Sequence, residues 1–161
     1  MKPLKIPRAD RQVQVVRDGH GIPHVQADHW LDAVYGLGYM HATDRGTQLL
    51  FARSIARGSA AGDISNSPEL LETDCFFRRV GLHMHLQREI ELLEDDAREQ
   101  LEAYSDGVND GLLKLGRSLP MWATGFRPRS WTVQSSLLIG NLLSFGGLAV
   151  SRLRNERLLM E

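Results

Sequence analysis

The stretch WLDAVYGLGYMHATDRGTQLLFARSIARG, Trp30 to Gly58, decides the fold. Leu31, Val34, Leu37, Leu49, Ala52, Ile55 and Ala56 recur at helical spacing. That spacing predicts one or two amphipathic helices, one face of each turned toward a core. Gly36 and Gly38 interrupt the first half. Glycine costs about 1 kcal/mol against alanine inside a helix, so close approach of another backbone is the expected reason for it. Thr43 and Asp44 stand where they would cap a second helix starting at Arg45. Asp44 and Arg45 offer a charged pair beside the apolar face, an arrangement that is usually structural.

Upstream, residues 1–11 are polar with two prolines and read as an extended lead-in. Gln12 to Arg17 alternates apolar and polar, as does Ile22 to Ala27, and Asp18-Gly19-His20-Gly21 between them is a turn. The three pieces predict a β-hairpin. Pro23 cannot donate to a ladder, so its strand begins at, or lies on, an edge. Asp28 is placed to cap the helix that starts near Trp30.

Downstream, SAAGDISNSPE after Gly58 reads as a loop. Helical pattern returns from Glu69 to Glu91, and again behind Asp95-Asp96, whose charge suits a helix start. This next helix carries Leu101, Tyr104, Val108, Leu112 and Leu115 on one stripe and Glu99, Glu102, Asp106 and Asp110 on a solvated face. Gly116 is its stop. Residues 117–131 read as an irregular loop packed by its aromatics. Thr132 precedes a last helix that is apolar on nearly all sides through Leu148, which implies burial between layers. Ser144-Phe145-Gly146-Gly147 should bend or break it. An amphipathic helix resumes from Arg152 to Glu161. The sequence stops there in mid-pattern and so has the look of a cut chain.

The 161 residues are 42% hydrophobic and 24% charged, an ordinary globular composition with length for one domain. A net charge of −1 leaves no basic footprint for nucleic acid. No apolar run approaches the roughly 18 residues that span a bilayer, and the first residues lack the apolar core of a signal peptide. The single cysteine, Cys75, excludes an internal disulfide and a four-cysteine zinc site. Beside Phe76 and Phe77 it reads as a buried, inert thiol. Six histidines invite a metal test. If His83 and His85 are helical they point to different faces and cannot easily share an ion. No hydrolase, phosphate-loop or metalloprotease motif appears. From spacing alone this is a mostly helical subunit with no visible active site.

An ordered series of pieces changes that reading. VVRDGHGIPHVQA, then DAVYGLGYMHATDRGTQLLFARSIARG, then Asp74 with Arg78-Arg79, then AYSDGVNDGL, then LP followed by RPRSW, resembles the α subunit of the penicillin acylase family. RDxxGxPH together with GYxxAxDRxxQ is the specific part, and the match runs from about Val13 to Trp131. The resemblance implies an N-terminal-nucleophile hydrolase. The fold class is then α+β: a mostly helical α chain with a short N-terminal hairpin. Residues 1–161 would be the α subunit of a single domain whose four-layer αββα core a larger β chain completes. Both chains come from one self-cleaving precursor. The nucleophile is the β chain's first residue, usually serine, with its own α-amine as base. No catalytic residue is then expected in this chain.

The resemblance also places part of the acyl-binding pocket at Leu143, Ser144, Phe145 and Leu148. It makes Glu156 the nearest match to a ligand of a structural calcium, with no cofactor needed for catalysis. Expected partners are the β chain and a small-molecule amide, either a β-lactam such as penicillin or an N-acyl-homoserine lactone, with no nucleic acid and no membrane. The family suggests a periplasmic or secreted protein and leaves the cytoplasm open. Gly46-Thr47, Arg53-Ser54 and the stretch after Gly58 depart from the family pattern, which bears on substrate type. The alternative is a stand-alone helical interaction module whose Val133 to Leu148 face binds a partner.

Overall fold

The computed structural model describes residues 3–8, 11–149, 151–152 and 156. The chain divides into two compact units, one of residues 1–50 and 93–133, the other of residues 51–92 and 134–161. Each is built around its own part of a long helix, α1, Trp30–Arg57.

In the first unit, β1 (Leu4–Arg8), β2 (Arg11–Arg17) and β3 (Pro23–Gln26) form an antiparallel sheet in the order β1-β2-β3. The register sets Ile6 opposite Val13, Leu4 opposite Val15, and Val15 opposite Val25. The hairpin is therefore present, with Pro23 opening an edge strand. The expected lead-in is corrected: residues 4–8 pair as a third strand, because Leu4 and Ile6 continue the alternation that Val13 and Val15 set across from them. Ile6, Val13 and Val15 form one buried cluster with Tyr35 and Met40 of α1. Each such fully buried aliphatic side chain contributes about 1.5–3 kcal/mol.

Helix α1 lies on that sheet through Gly36, where a Cβ would stand 2.7 Å from Val13 Cγ1 and from Val25 Cγ1. A second glycine of α1, Gly38, faces α5, Asp95–Leu115. A Cβ on Gly38 would collide with the Tyr104 carbonyl oxygen, and one on Gly107 with that of Tyr35; at Gly111 the Tyr39 oxygen would lie 2.6 Å away. The two helices thus meet backbone to backbone, as the sequence predicts for Gly38. Hydrogen bonds fasten the contact. Tyr35 Oη donates to Asp110 Oδ2 at 2.7 Å, and His41 Nδ1 and Tyr104 Oη stand 2.9 Å apart. Asp95 and Asp96 do open α5, and Gly116, at φ 67°, ends it. Residues 117–131 contain a short helix, α6 (Leu119–Ala123), where an irregular loop is expected. Met121, Phe126 and Trp131 are its buried anchors. Asn109 holds Trp131 from both sides, accepting from its N–H at 2.7 Å and donating to its carbonyl at 3.0 Å.

The expected cap at the start of α1 is corrected. The carbonyl of His29, not the side chain of Asp28, accepts from the N–H groups of Asp32 and Ala33. At Arg45, φ −134° and ψ 16°, two helices join across a kink, close to where the sequence places a second start. There the Thr43 hydroxyl donates back to the Met40 carbonyl, and Asp44 accepts from Arg17 at 2.5 Å instead of pairing with Arg45.

The second unit holds the end of α1 with α2 (Ala60–Asp63), α3 (Pro68–Val80), α4 (Leu86–Glu91) and α7 (Val133–Ser144), the last running into a π-helical turn, Phe145–Ala149. Ala56, Leu86 and Leu138 form its core, with Leu82, Leu137 and Leu142 packed on it. The stretch after Gly58 forms the short helix α2 first and is a loop, as expected, only over residues 64–67. The expected helix from Glu69 to Glu91 is two, because Gly81 takes the left-handed conformation (φ 77°) and caps α3. His83 and His85 consequently lie in the turn between α3 and α4, not on a helix. Helix α7 does end at Ser144, as the Ser-Phe-Gly-Gly sequence predicts. It is buried on one side only, through Ser135 and Leu138, while Leu143 is 69% exposed. The helix expected over Arg152 to Glu161 falls largely outside the described residues. No helix among the described residues is long and apolar enough to cross a membrane.

Candidate functional site

The second unit gathers three phenylalanine rings. Phe76 and Phe77 come from α3 and Phe145 from the turn after α7. Ring centroids are 5.2 Å apart for Phe76 and Phe77, 6.1 Å for Phe76 and Phe145, and 6.4 Å for Phe77 and Phe145. The two pairs that include Phe77, at 83° and 71°, are edge-to-face, an arrangement aromatic pairs prefer, and the Phe76–Phe145 pair is tilted at 59°. The cluster is not sealed: Phe76 is 50% exposed. Of the four residues expected to bind substrate, Phe145 joins this cluster. Leu143 and Ser144 are exposed beside it in sequence, and the side chain of Leu148 lies outside the described residues.

Helix α3 is anchored from below by a carboxylate. Asp74, 3% exposed, accepts from the N–H of Ala60 at 2.7 Å and of Ala61 at 2.9 Å. Arg78 Nε donates to the Gly58 carbonyl at 2.6 Å, and Gly58 itself turns with φ 70°. At the helix start Pro68 occupies the first turn, and Ser67 Oγ accepts from the Leu70 N–H. The Asp74 and Arg78-Arg79 signature thereby gains a physical meaning: one carboxylate and one guanidinium fix the turn after α1 against α3. Cys75 is exposed rather than buried. The reason is helical phase, since the residue after an inward Asp74 is rotated by about 100° onto another face.

Helix α7 is positioned by Asn141, whose Nδ2 donates to the Leu82 carbonyl at 3.3 Å and to both Glu89 carboxylate oxygens at 3.2 Å. Next to Leu82, His83 Nδ1 is buried with no hydrogen-bond partner among the described residues. Arg53, 8% exposed, donates to Ser135 Oγ at 3.2 Å, which explains why a serine stands on the buried side of α7.

The other motif, RDGHGIPH, builds a turn in the first unit. Asp18 Oδ1 accepts from the N–H of His20 and of Ile22, both at 2.9 Å, and Oδ2 lies 3.2 Å from His24 Nε2. The Ile22 amide foremost, then the His24 side chain, hold the Asp18 carboxyl below its usual range. Arg17 bridges this turn to the helix, donating to the Gly21 carbonyl at 2.8 Å and to Asp44. Burial lowers the affinity of His41 for a proton, and the nearby Asp44 opposes that shift. These are fastenings, and their chemistry is that of a scaffold.

Glu156, the expected calcium ligand, is exposed, and its Oε1 accepts from Arg152 Nε at 2.8 Å. No group of three or more His, Cys, Asp or Glu side chains that could hold a metal occurs among the described residues. Calcium takes six to eight oxygens, and among the described residues Glu156 stands as a single carboxylate engaged by a guanidinium.

Phe76 and Phe77 carry no expected role in the sequence; the signal they offer is adjacency to each other and to Asp74.

Comparison with known proteins agrees with the ordered motifs. The penicillin amidase family model matches residues 12–160. The chain is 37% identical over 138 residues to a penicillin acylase 2 proenzyme of Pseudomonas sp. strain SE83, covering 84% of this chain and 17% of that protein. It is 34% identical over 143 residues to the acyl-homoserine lactone acylase QuiP of Pseudomonas aeruginosa, covering 88% of this chain and 16% of that protein. Among solved structures it superposes on a thermostable penicillin G acylase from Alcaligenes faecalis with a TM-score of 0.74 and 26% identity, covering 89% of this chain and 80% of that one. It spans about a sixth of the length of the curated relatives it matches. With both its hairpin turn and its glycine-packed helix pair inside the matched region, the chain belongs to the penicillin amidase family.

Proposed function

We propose that this chain is the α subunit of an amidohydrolase that removes an acyl group from an amine. The observation that carries the reading is the family match over residues 12–160, nearly the whole chain. A second observation supports its being a subunit. The solved relative presents a chain of comparable size, since this chain covers 80% of it, whereas the proenzyme relative is about five times as long as this chain. A larger β chain from the same precursor then completes the αββα core. Its N-terminal serine attacks the amide carbonyl while the α-amine takes the hydroxyl proton; that proton passes to the leaving amine as the C–N bond breaks, and water then hydrolyses the resulting ester. Oxyanion donors come from that chain as well.

This chain's share is the acyl pocket, through Leu143, Ser144, Phe145 and Leu148. Such apolar walls accept hydrophobic groups with modest discrimination per methylene. The substrate classes are β-lactams carrying an acyl side chain and N-acyl-homoserine lactones. Glu156 offers at most one ligand to a structural calcium, after giving up Arg152, and the remaining oxygens would belong to the β chain. No cofactor takes part in the chemistry.

The test is hydrolysis of phenylacetyl and octanoyl anilides by the full-length gene product. Release of aniline with burst kinetics, abolished by a sulfonyl fluoride that labels a serine outside this chain, is the expected result. Absence of hydrolysis for every acyl group tried would sink the reading.

A further inference from the structure

Phe76 has two environments. On one side its ring contacts Phe77 and Phe145. On the other it lines an open hollow of about 540 Å³, together with Pro68, Leu71, Glu72, Cys75 and Arg79. Neither Phe77 nor Phe145 lines that hollow, so Phe76 is the residue that the aromatic cluster and the hollow share. The hollow is within the range of small-ligand pockets, roughly 300–1,000 Å³. Helix α3 holds the ring in place, since Asp74 and Arg78, two residues to either side, are both fastened to the turn at residues 58–61.

We infer that Phe76 is the end wall of the acyl pocket, the residue that limits acyl length and favours compact, ring-bearing acyl groups over long alkyl chains. The inference rests on the reading that Phe145 lines that pocket. An acyl ring seated against Phe145 meets Phe76 as a further edge-to-face partner. An extended chain meets the same ring as an obstruction. Removing the ring opens the Phe145 side toward the hollow along the face of α3, where Pro68 and Leu71 offer apolar contact beside the charged Glu72 and Arg79.

The experiment uses the mature full-length enzyme and reads the ratio of kcat/KM for octanoyl anilide to that for phenylacetyl anilide. Phe76→Ala is expected to raise this ratio about 10-fold, the scale on which a hydrophobic pocket discriminates by size. Phe76→Leu should raise it less and Phe76→Trp should lower it. An unchanged or lowered ratio in both Phe76→Ala and Phe76→Leu, with normal thermal midpoints, would overturn the inference. So would a lower yield of assembled enzyme with an unchanged ratio, which would assign Phe76 to packing against the rest of the protein. Phe145→Leu separates the two levels. If it alters acyl preference while the Phe76 variants do not, only the wall assignment falls. If neither position alters preference, the pocket reading falls and takes the wall with it. Should neither anilide be hydrolysed, calorimetric binding of octanoate and phenylacetate to the same variants must show the same shift, and binding of neither acid counts against the inference.

Discussion

Gly107→Ala is expected to destabilise the protein by at least about 3 kcal/mol, the upper part of the range for overpacking a core. The added methyl would fall on the Tyr35 carbonyl oxygen and lie 2.9 Å from the Tyr39 nitrogen, both backbone atoms of α1. A flexible side chain could swing away from a new methyl, but a helix backbone cannot. Separation of α1 from α5 would in turn strain the Tyr35–Asp110 and His41–Tyr104 hydrogen bonds. Gly38→Ala should behave alike, since its methyl would strike the Tyr104 carbonyl from the opposite helix. Gly62→Ala is the control: nothing lies within 4 Å of its added carbon. Guanidinium denaturation of the full-length protein checks all three. A loss under about 1 kcal/mol for both Gly107→Ala and Gly38→Ala, well below the usual overpacking cost, would mean that the helices do not pack backbone to backbone.

Asp74→Asn is the second large effect, with an expected loss of about 2–3 kcal/mol, the scale of leaving a buried donor unsatisfied. The native carboxylate accepts one N–H with each oxygen. An asparagine presents one acceptor, and its NH₂ group must then face an N–H donor. The loss should be local as well as global. Amide exchange at Ala60 or Ala61 should accelerate, and because α3 carries Phe76 and Phe77, acyl preference should broaden. Denaturation together with hydrogen exchange of residues 58–63 reads both. Unchanged protection at Ala60 and Ala61 would show that Asp74 does not hold this turn.

Local chemistry was legible in the sequence. Alternation at Val13 and Val15 gave the strands, helical spacing from Leu31 to Ala56 gave α1, and the cost of glycine inside a helix pointed to a close backbone partner for Gly38. The family resemblance came from motif order. What stayed hidden depends on distance along the chain or on rotation about a helix axis. Asp74 and its amide partners are 14 and 13 residues apart, and no periodicity links a carboxylate to a turn. Asp74 and Cys75 are adjacent, and only the rotational phase of α3 buries the first and exposes the second. The strand at Leu4 was obscured by neighbouring prolines and charges. Phe76 lies within the helical pattern from Glu69 to Glu91, but its place in an aromatic cluster emerges only from where the turn after α7 brings Phe145. The apolar run from Val133 to Leu148 implies burial between layers, but within this chain Leu143 remains uncovered.

The central claim is that this chain is one part of an enzyme whose reacting atom lies on another. Protein isolated from its native host, separated under denaturing conditions and analysed by intact-mass spectrometry with N-terminal sequencing, tests it most directly. The account predicts a larger companion polypeptide from the same reading frame, beginning with serine and alone gaining mass from a sulfonyl fluoride. A single uncleaved polypeptide that hydrolyses the amide, or an active preparation with no companion chain, would contradict it.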